Sequence, residues 1–203
     1  MMIGNVKWEW TVPNVLSLIR IALVPAFVVL YWLSINDTVY LYWALGMLVL
    51  SGLSDMFDGM IARRFNQISD MGKLLDPVAD KLTQVAVVLC VALRHTELWW
   101  LFVICFVKEL AQAIGSLVLM REGLKVEGAH WYGKVATFVF YVTMAFIVFS
   151  DYFLTAYRSV TSVITLVLAI ILSILLVIAF VGYAQVFVQA KKKLAEKAEK
   201  KEE

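Results

Sequence analysis

The sequence predicts an all-α protein, an integral membrane bundle of six transmembrane helices. Three observations predict it. Of 203 residues, 62% are hydrophobic and only 17% charged, against roughly 45–50% and about 25% in an ordinary soluble domain. Mean hydropathy is +0.83. The apolar residues gather in six runs, each close to the roughly 20 residues that cross a bilayer. A soluble globule of this length has no interior for so much apolar surface. That excludes a soluble domain, a disordered chain and a nucleic-acid-binding arm, so no nucleic acid is expected as a partner.

The first run, Val12–Leu33, is too long for a signal-peptide core and lacks a small-x-small cleavage site, so it is expected to remain as a span. The second, Val39–Arg63, turns polar near its end. The third runs from Asp76 to Leu93, the fourth from Trp99 to Leu119 and the fifth from Tyr132 to Phe153. The last, Thr161–Val188, is long enough to imply tilt or projection beyond the bilayer. Before these, Val6–Trp10 mixes aromatic and charged residues and suits a short piece lying on the membrane surface. After them, residues 191–203 hold six lysines and four glutamates, leaving 12 residues of each sign elsewhere. The net charge of +2 therefore sits in the tail and says nothing about an acidic substrate. The expected organisation is one transmembrane domain, residues 1–190, and a charged cytoplasmic tail, residues 191–203, either a solvated helix or disordered.

Lysine and arginine positions orient the bundle. The first, third and fifth connections carry only Arg94 and Arg158, whereas the opposite side carries Lys7, Arg63, Arg64, Lys73, Arg121, Lys125 and the tail lysines. Both termini and the second and fourth connections are expected on the cytoplasmic side of the cell membrane. Trp32, Trp43, Trp99, Trp100 and Trp131 fall near span ends and read as interfacial anchors. Cys90 and Cys105 lie in apolar runs without metal-ligand spacing and read as small buried hydrophobes. His95 is expected in an external connection far from any chemistry, and His130 as a solvated loop residue flanking the fifth span.

Charges inside a span are costly and mark functional candidates. They concentrate between Ser54 and Leu82. Asp55 and Asp58 are three apart at the end of the second run, and Asp76 and Asp80 are four apart at the start of the third, so each pair shares a helix face. A short connection between the two helices lets four carboxylates converge just inside the cytoplasmic interface. Unneutralised, they would repel and take up protons. Hard oxygen ligands without Cys or His point to Mg²⁺ or Mn²⁺, and four carboxylates suit two ions per site. Gly59 and Gly72 remove side chains where a ligand or helix must come close, Ala62 keeps the same face open, and Arg63 can fork onto phosphate oxygens. Arg64, Asp70 and Lys73 read as ordinary loop charges.

The pattern Asp55-x₂-Asp58-Gly59-x₂-Ala62-Arg63-x₈-Gly72-x₃-Asp76-x₃-Asp80 resembles the CDP-alcohol phosphotransferase signature at every defined position. Val12–Arg20, Leu75–Lys81 and Tyr132–Thr137 look like the phosphatidylglycerophosphate and cardiolipin synthase branches of that family. The resemblance implies a six-helix membrane bundle, often a homodimer, with its site open to the cytoplasm. It implies one metal held by Asp55, Asp58 and Asp76, a second by Asp55, Asp76 and Asp80, and Asp80 as general base. It further implies donor contacts from Gly59, Arg63 and Ser69, with Asn14 and Ser17 contributing from the first span. The implied reaction moves a phosphatidyl group from CDP-diacylglycerol to an alcohol and releases CMP, a step in phospholipid biosynthesis. Membrane lipids are the surrounding partners.

Glycerol 3-phosphate is the first choice of acceptor, and it needs a second cationic site on the cytoplasmic side. Lys134, Arg121 and Lys108 are the candidates, with Lys81 beside them. Lys108-Glu109 stands where the phosphatidylglycerophosphate synthases carry Arg-Glu followed by a further arginine, and here that following stretch is Ala111–Ser116. The departure leaves room for phosphatidylglycerol, inositol phosphate or serine, and leaves Lys108-Glu109 as either an acceptor contact or a structural pair. A cation transporter is the competing class. It would place its carboxylates near the midplane of broken, repeated helices, whereas these lie near one interface and no repeat is visible.

Overall fold

A computed structural model describes residues 2–3, 6–7, 11–64, 72–121 and 131–202. Six helices follow one another: α1 Val12–Leu33, α2 Val39–Arg64, α3 Gly72–Arg94, α4 Trp99–Arg121, α5 Trp131–Phe153 and α6 Arg158–Glu202. Single 3-10 turns at Thr96–Leu98 and Thr155–Tyr157 lead into α4 and α6. Ahead of α1, β1 (Met2–Ile3) pairs antiparallel with β2 (Val6–Lys7), so that part of the expected surface segment is a minimal hairpin.

The starts of α1 and α2 have a local cause. Thr11 caps α1, its hydroxyl accepting from the Asn14 amide at 3.4 Å, and Pro13 sits in the first turn, where a missing N–H costs nothing. Asp37 accepts from the Val39 amide at 2.9 Å and starts α2. Among the described residues, four segments are long and apolar enough to cross a membrane: Asn14–Leu33, Thr96–Leu119, Gly133–Asp151 and Arg158–Lys192. α2 is apolar only over Val39–Ser54. α2 and α3 lose apolarity where the aspartates begin. Between span ends the outside is apolar, with Val29, Phe138 and Ile174 all exposed, which suits lipid as solvent. α6 has 45 residues and is roughly 67 Å long at 1.5 Å per residue. It therefore outruns the bilayer and carries the charged tail as continuous helix.

α1 packs on both α2 and α3, α5 packs on α2, α3 and α6, and α4 joins α3 to α6. Phe27, Leu48, Val91, Leu101, Phe140, Met144 and Leu172 lie in the shared core. Gly52 lets α2 approach the Tyr141 ring of α5, where an added Cβ would lie 3.1 Å away. At the end remote from the aspartates a polar knot ties three helices. Asp151 of α5 meets His95 Nε2 at 2.9 Å and Arg94 Nε at 3.4 Å. The Tyr31 hydroxyl of α1 donates to Asp151 at 3.4 Å, and Arg94 donates to Ser34 Oγ at 3.0 Å. These contacts place the C-terminal ends of α1, α3 and α5 together, which is the alternation an up–down bundle requires. His95 is thus a structural ion-pair partner, remote from the aspartates as expected.

Candidate active site

Asp55 and Asp58 lie in the last turns of α2, and Asp76 and Asp80 in the first turns of α3. Counting from the helix ends at 1.5 Å per residue, Asp55 and Asp80 both lie roughly 12–14 Å in. α1 packs across both helices, so one element backs the two halves of the aspartate motif. Asp55, Asp58, Gly59, Arg63, Asp76 and Arg121 are described by helical position alone, and Ser69 and His130 lie outside the described residues.

Asp80 is half-buried, and its Oδ1 accepts a hydrogen bond from Gln84 Nε2 at 3.0 Å. Gln84 is almost completely buried one turn deeper, beside Thr83, whose hydroxyl donates to the Ala79 carbonyl at 2.8 Å. From α1, Asn14 and Ser17 are both buried, with Arg20 one further turn along. These three recur every third residue and present one polar face inside the bundle. Ser51 of α2 and Thr83 of α3 line a small void that Leu23, Val24 and Phe27 close from α1. Polar side chains of α1, α2 and α3 are therefore buried inside the bundle from Asp80 to a turn or so deeper.

Next to them stands an ion triad. Glu109 of α4 is 5% exposed. It pairs with its neighbour Lys108 and, across the α3–α4 contact, with Lys81 Nζ at 3.8 Å. Two lysines on one carboxylate keep Glu109 neutralised in an apolar setting, as a buried charge requires. Lys108 also lines a groove of ≈ 280 Å³ between α4 and α6, walled by Val103, Val107, Val177 and Phe180. Lys134 is exposed one turn into α5. Of the three expected acceptor contacts, Lys108 is engaged by Glu109, Lys134 is exposed, and Arg121 is placed only as the last residue of α4.

Carboxylates without Cys or His beside them, one of them (Asp80) held in place by an amide donor, fit a divalent cation better than any soft metal. Neither Gln84 nor Arg20 is among the site residues expected from the sequence. Both carried a signal: Gln84 is four residues after Asp80 on the same helix face, and Arg20 is a charge inside an apolar run.

Residues 10–181 match the family model for CDP-alcohol phosphatidyltransferase. The chain belongs to the CDP-alcohol phosphatidyltransferase family. Within this family it is 44% identical over 133 residues to a Mycobacterium tuberculosis protein provisionally named cardiolipin synthase, covering 65% of this chain and 61% of that one. It is 36% identical to the cardiolipin synthase (CMP-forming) of Streptomyces coelicolor, over 70% of this chain and 66% of the relative. It is 29% identical to the CDP-diacylglycerol–glycerol-3-phosphate 3-phosphatidyltransferase of Escherichia coli, over 68% of this chain and 77% of the relative. The chain thus spans just over three fifths of the length of the Mycobacterium relative.

Proposed function

We propose that the protein transfers a phosphatidyl group from CDP-diacylglycerol to an alcohol and releases CMP, at the cytoplasmic side of the cell membrane. The observation that carries it is that all four motif aspartates fall in the last turns of α2 and the first turns of α3, two helices that α1 packs against together, in a chain whose residues 10–181 match the family. Asp55, Asp58, Asp76 and Asp80 would hold two Mg²⁺ or Mn²⁺ ions. When bound, these ions offset the charge of the pyrophosphate and of the departing CMP phosphate. Gly59, Arg63 and Ser69 contact the donor, and Asn14 and Ser17 contribute from the buried face of α1. Asp80 takes the acceptor's proton as the hydroxyl attacks phosphorus. Gln84 keeps that carboxylate in one orientation. A site about two turns below the interface lets the diacylglycerol part stay in lipid while the nucleotide remains in water.

Glycerol 3-phosphate as acceptor calls on Lys134, Arg121 and Lys108 for its phosphate. A second reading has a specific observation behind it. The ammonium of Lys108 is already committed to Glu109 and borders an apolar groove, and the relatives at 44% and 36% identity are named cardiolipin synthases. Phosphatidylglycerol, whose chains stay in the bilayer, would need less of a cationic pocket.

The test is CMP release from CDP-diacylglycerol by protein in lipid nanodiscs, with glycerol 3-phosphate or phosphatidylglycerol offered separately. CMP appears only with Mg²⁺ or Mn²⁺, and one acceptor dominates. Full activity in excess chelator, or activity retained in Asp76→Asn, would refute the shared-metal reading.

A further inference from the structure

Arg20 stands in the apolar part of α1, and its side chain is completely buried. A guanidinium inside a membrane bundle is balanced by an anion. α1 contains no acidic residue of its own. It packs on α2 and α3, whose only acids are Asp55 and Asp58, and Asp76 and Asp80. The acids of α4 and α5 have other commitments: Glu109 is taken by Lys81 and Lys108, and Asp151 by His95 and Arg94 at the far end. Depth agrees. Arg20 is eight residues from the start of α1, Asp80 eight from the start of α3, and Asp55 nine from the end of α2. At 1.5 Å per residue all three fall roughly 12–14 Å in.

We infer that Arg20 is the built-in counter-charge of the aspartate cluster, a positioning residue that holds the carboxylates together. The inference rests on the proposed reading of the four aspartates as one site. Its consequence is electrostatic. Two divalent cations neutralise four carboxylates, and Arg20 then leaves the loaded site one charge positive. That surplus favours an anionic pyrophosphate donor. Without any cation, Arg20 reduces the mutual repulsion of the carboxylates.

The test is thermal unfolding in detergent, in chelator and in saturating Mg²⁺, for wild type, Arg20→Met and Arg20→Lys. Each is made alone and combined with Asp55→Asn or Asp80→Asn. Arg20→Met should unfold at lower temperature in chelator, recover more than wild type on adding Mg²⁺, and lose less when an aspartate is also neutralised. Arg20→Lys should restore part of the loss. Where activity is measurable, Arg20→Met should raise the KM for CDP-diacylglycerol severalfold with a smaller change in kcat. A stability loss equal in chelator and Mg²⁺, and unchanged by either aspartate substitution, overturns the inference. So does an Arg20→Met protein that cannot be recovered in any background, since a charge removed from both sides should be tolerated. If Mg²⁺ leaves even the wild type unmoved, the metal reading fails by itself, and the coupling in chelator still decides Arg20.

Discussion

Gln84 Nε2 donates to Asp80 Oδ1 at 3.0 Å, across one turn of α3. The amide is almost completely buried, so its orientation is set by packing and not by solvent. A hydrogen bond to a charged group contributes about 1.5–3 kcal/mol. Gln84→Met keeps the volume and removes the donor. Turnover should fall on the order of tenfold or more, with a smaller change in the KM for CDP-diacylglycerol. Steady-state kinetics check this, and an unchanged kcat would show that Asp80 is held by other contacts.

Glu109 is the shared counter-ion of Lys81 on α3 and Lys108 on α4. Glu109→Gln strands two cations in an apolar setting. Breaking a buried pair by removing one partner costs about 3–5 kcal/mol. The variant should unfold at a clearly lower temperature, and adding Lys108→Met should recover part of the loss. Thermal unfolding of the single and double variants measures the recovery. An additive pair of losses would mean that the triad is not electrostatically coupled.

His95 should make stability depend on pH at the end of the bundle remote from the aspartates. The hydrogen bond that its ring donates to Asp151 is the main cause that raises its pKa above the ordinary 6.5; the charges of Asp151 and Glu97 add to this, and burial opposes it. A raised folded-state pKa means that the protonated ring stabilises the fold. That contribution is complete below about 6.5, the unfolded value, and is lost as pH rises through the raised pKa. The gap in unfolding temperature between wild type and His95→Gln should be widest at mildly acidic pH and close as pH rises. A gap that stays constant across the series would contradict it.

Gly115 of α4 accommodates Tyr183 of α6, because an added Cβ would lie 2.7 Å from the tyrosine oxygen. That hydroxyl donates to the Gln112 carbonyl at 3.1 Å and lies 3.2 Å from Ser116 Oγ. Gly115→Ala must push it away from these partners, at a cost of about 1 kcal/mol or more for the hydrogen bond. The penalty should shrink in a Tyr183→Phe background, where no hydroxyl remains to displace. Equal penalties in both backgrounds would place the strain elsewhere.

Hydropathy alone determined six helices. It marked α1 as Val12–Leu33, as found, and came within a few residues on α2, α4 and α5. It started α3 at Asp76 and ended α6 at Val188, whereas the helices run from Gly72 and to Glu202. The reason is that an apolar run reports the stretch facing lipid, while backbone hydrogen bonding continues through polar turns on either side. The aspartate motif was equally legible, since three- and four-residue spacing on one helix fixes which side chains share a face.

Sequence spacing does not say which helix lies opposite. That Lys108 serves Glu109 and that Lys81 joins it from α3 depend on how α3 and α4 pack. The same holds for His95 and Asp151, which are distant in sequence and 2.9 Å apart in the fold. It holds for Arg20 as well, a single charge in an apolar run whose full burial appears only once α1 is laid across α2 and α3. The local periodicities of single helices wrote the elements and the motif into the sequence. The partners of the buried charges were decided by helix packing, because in a membrane a charge is set by what lies across the helix contact and not by its neighbours along the chain.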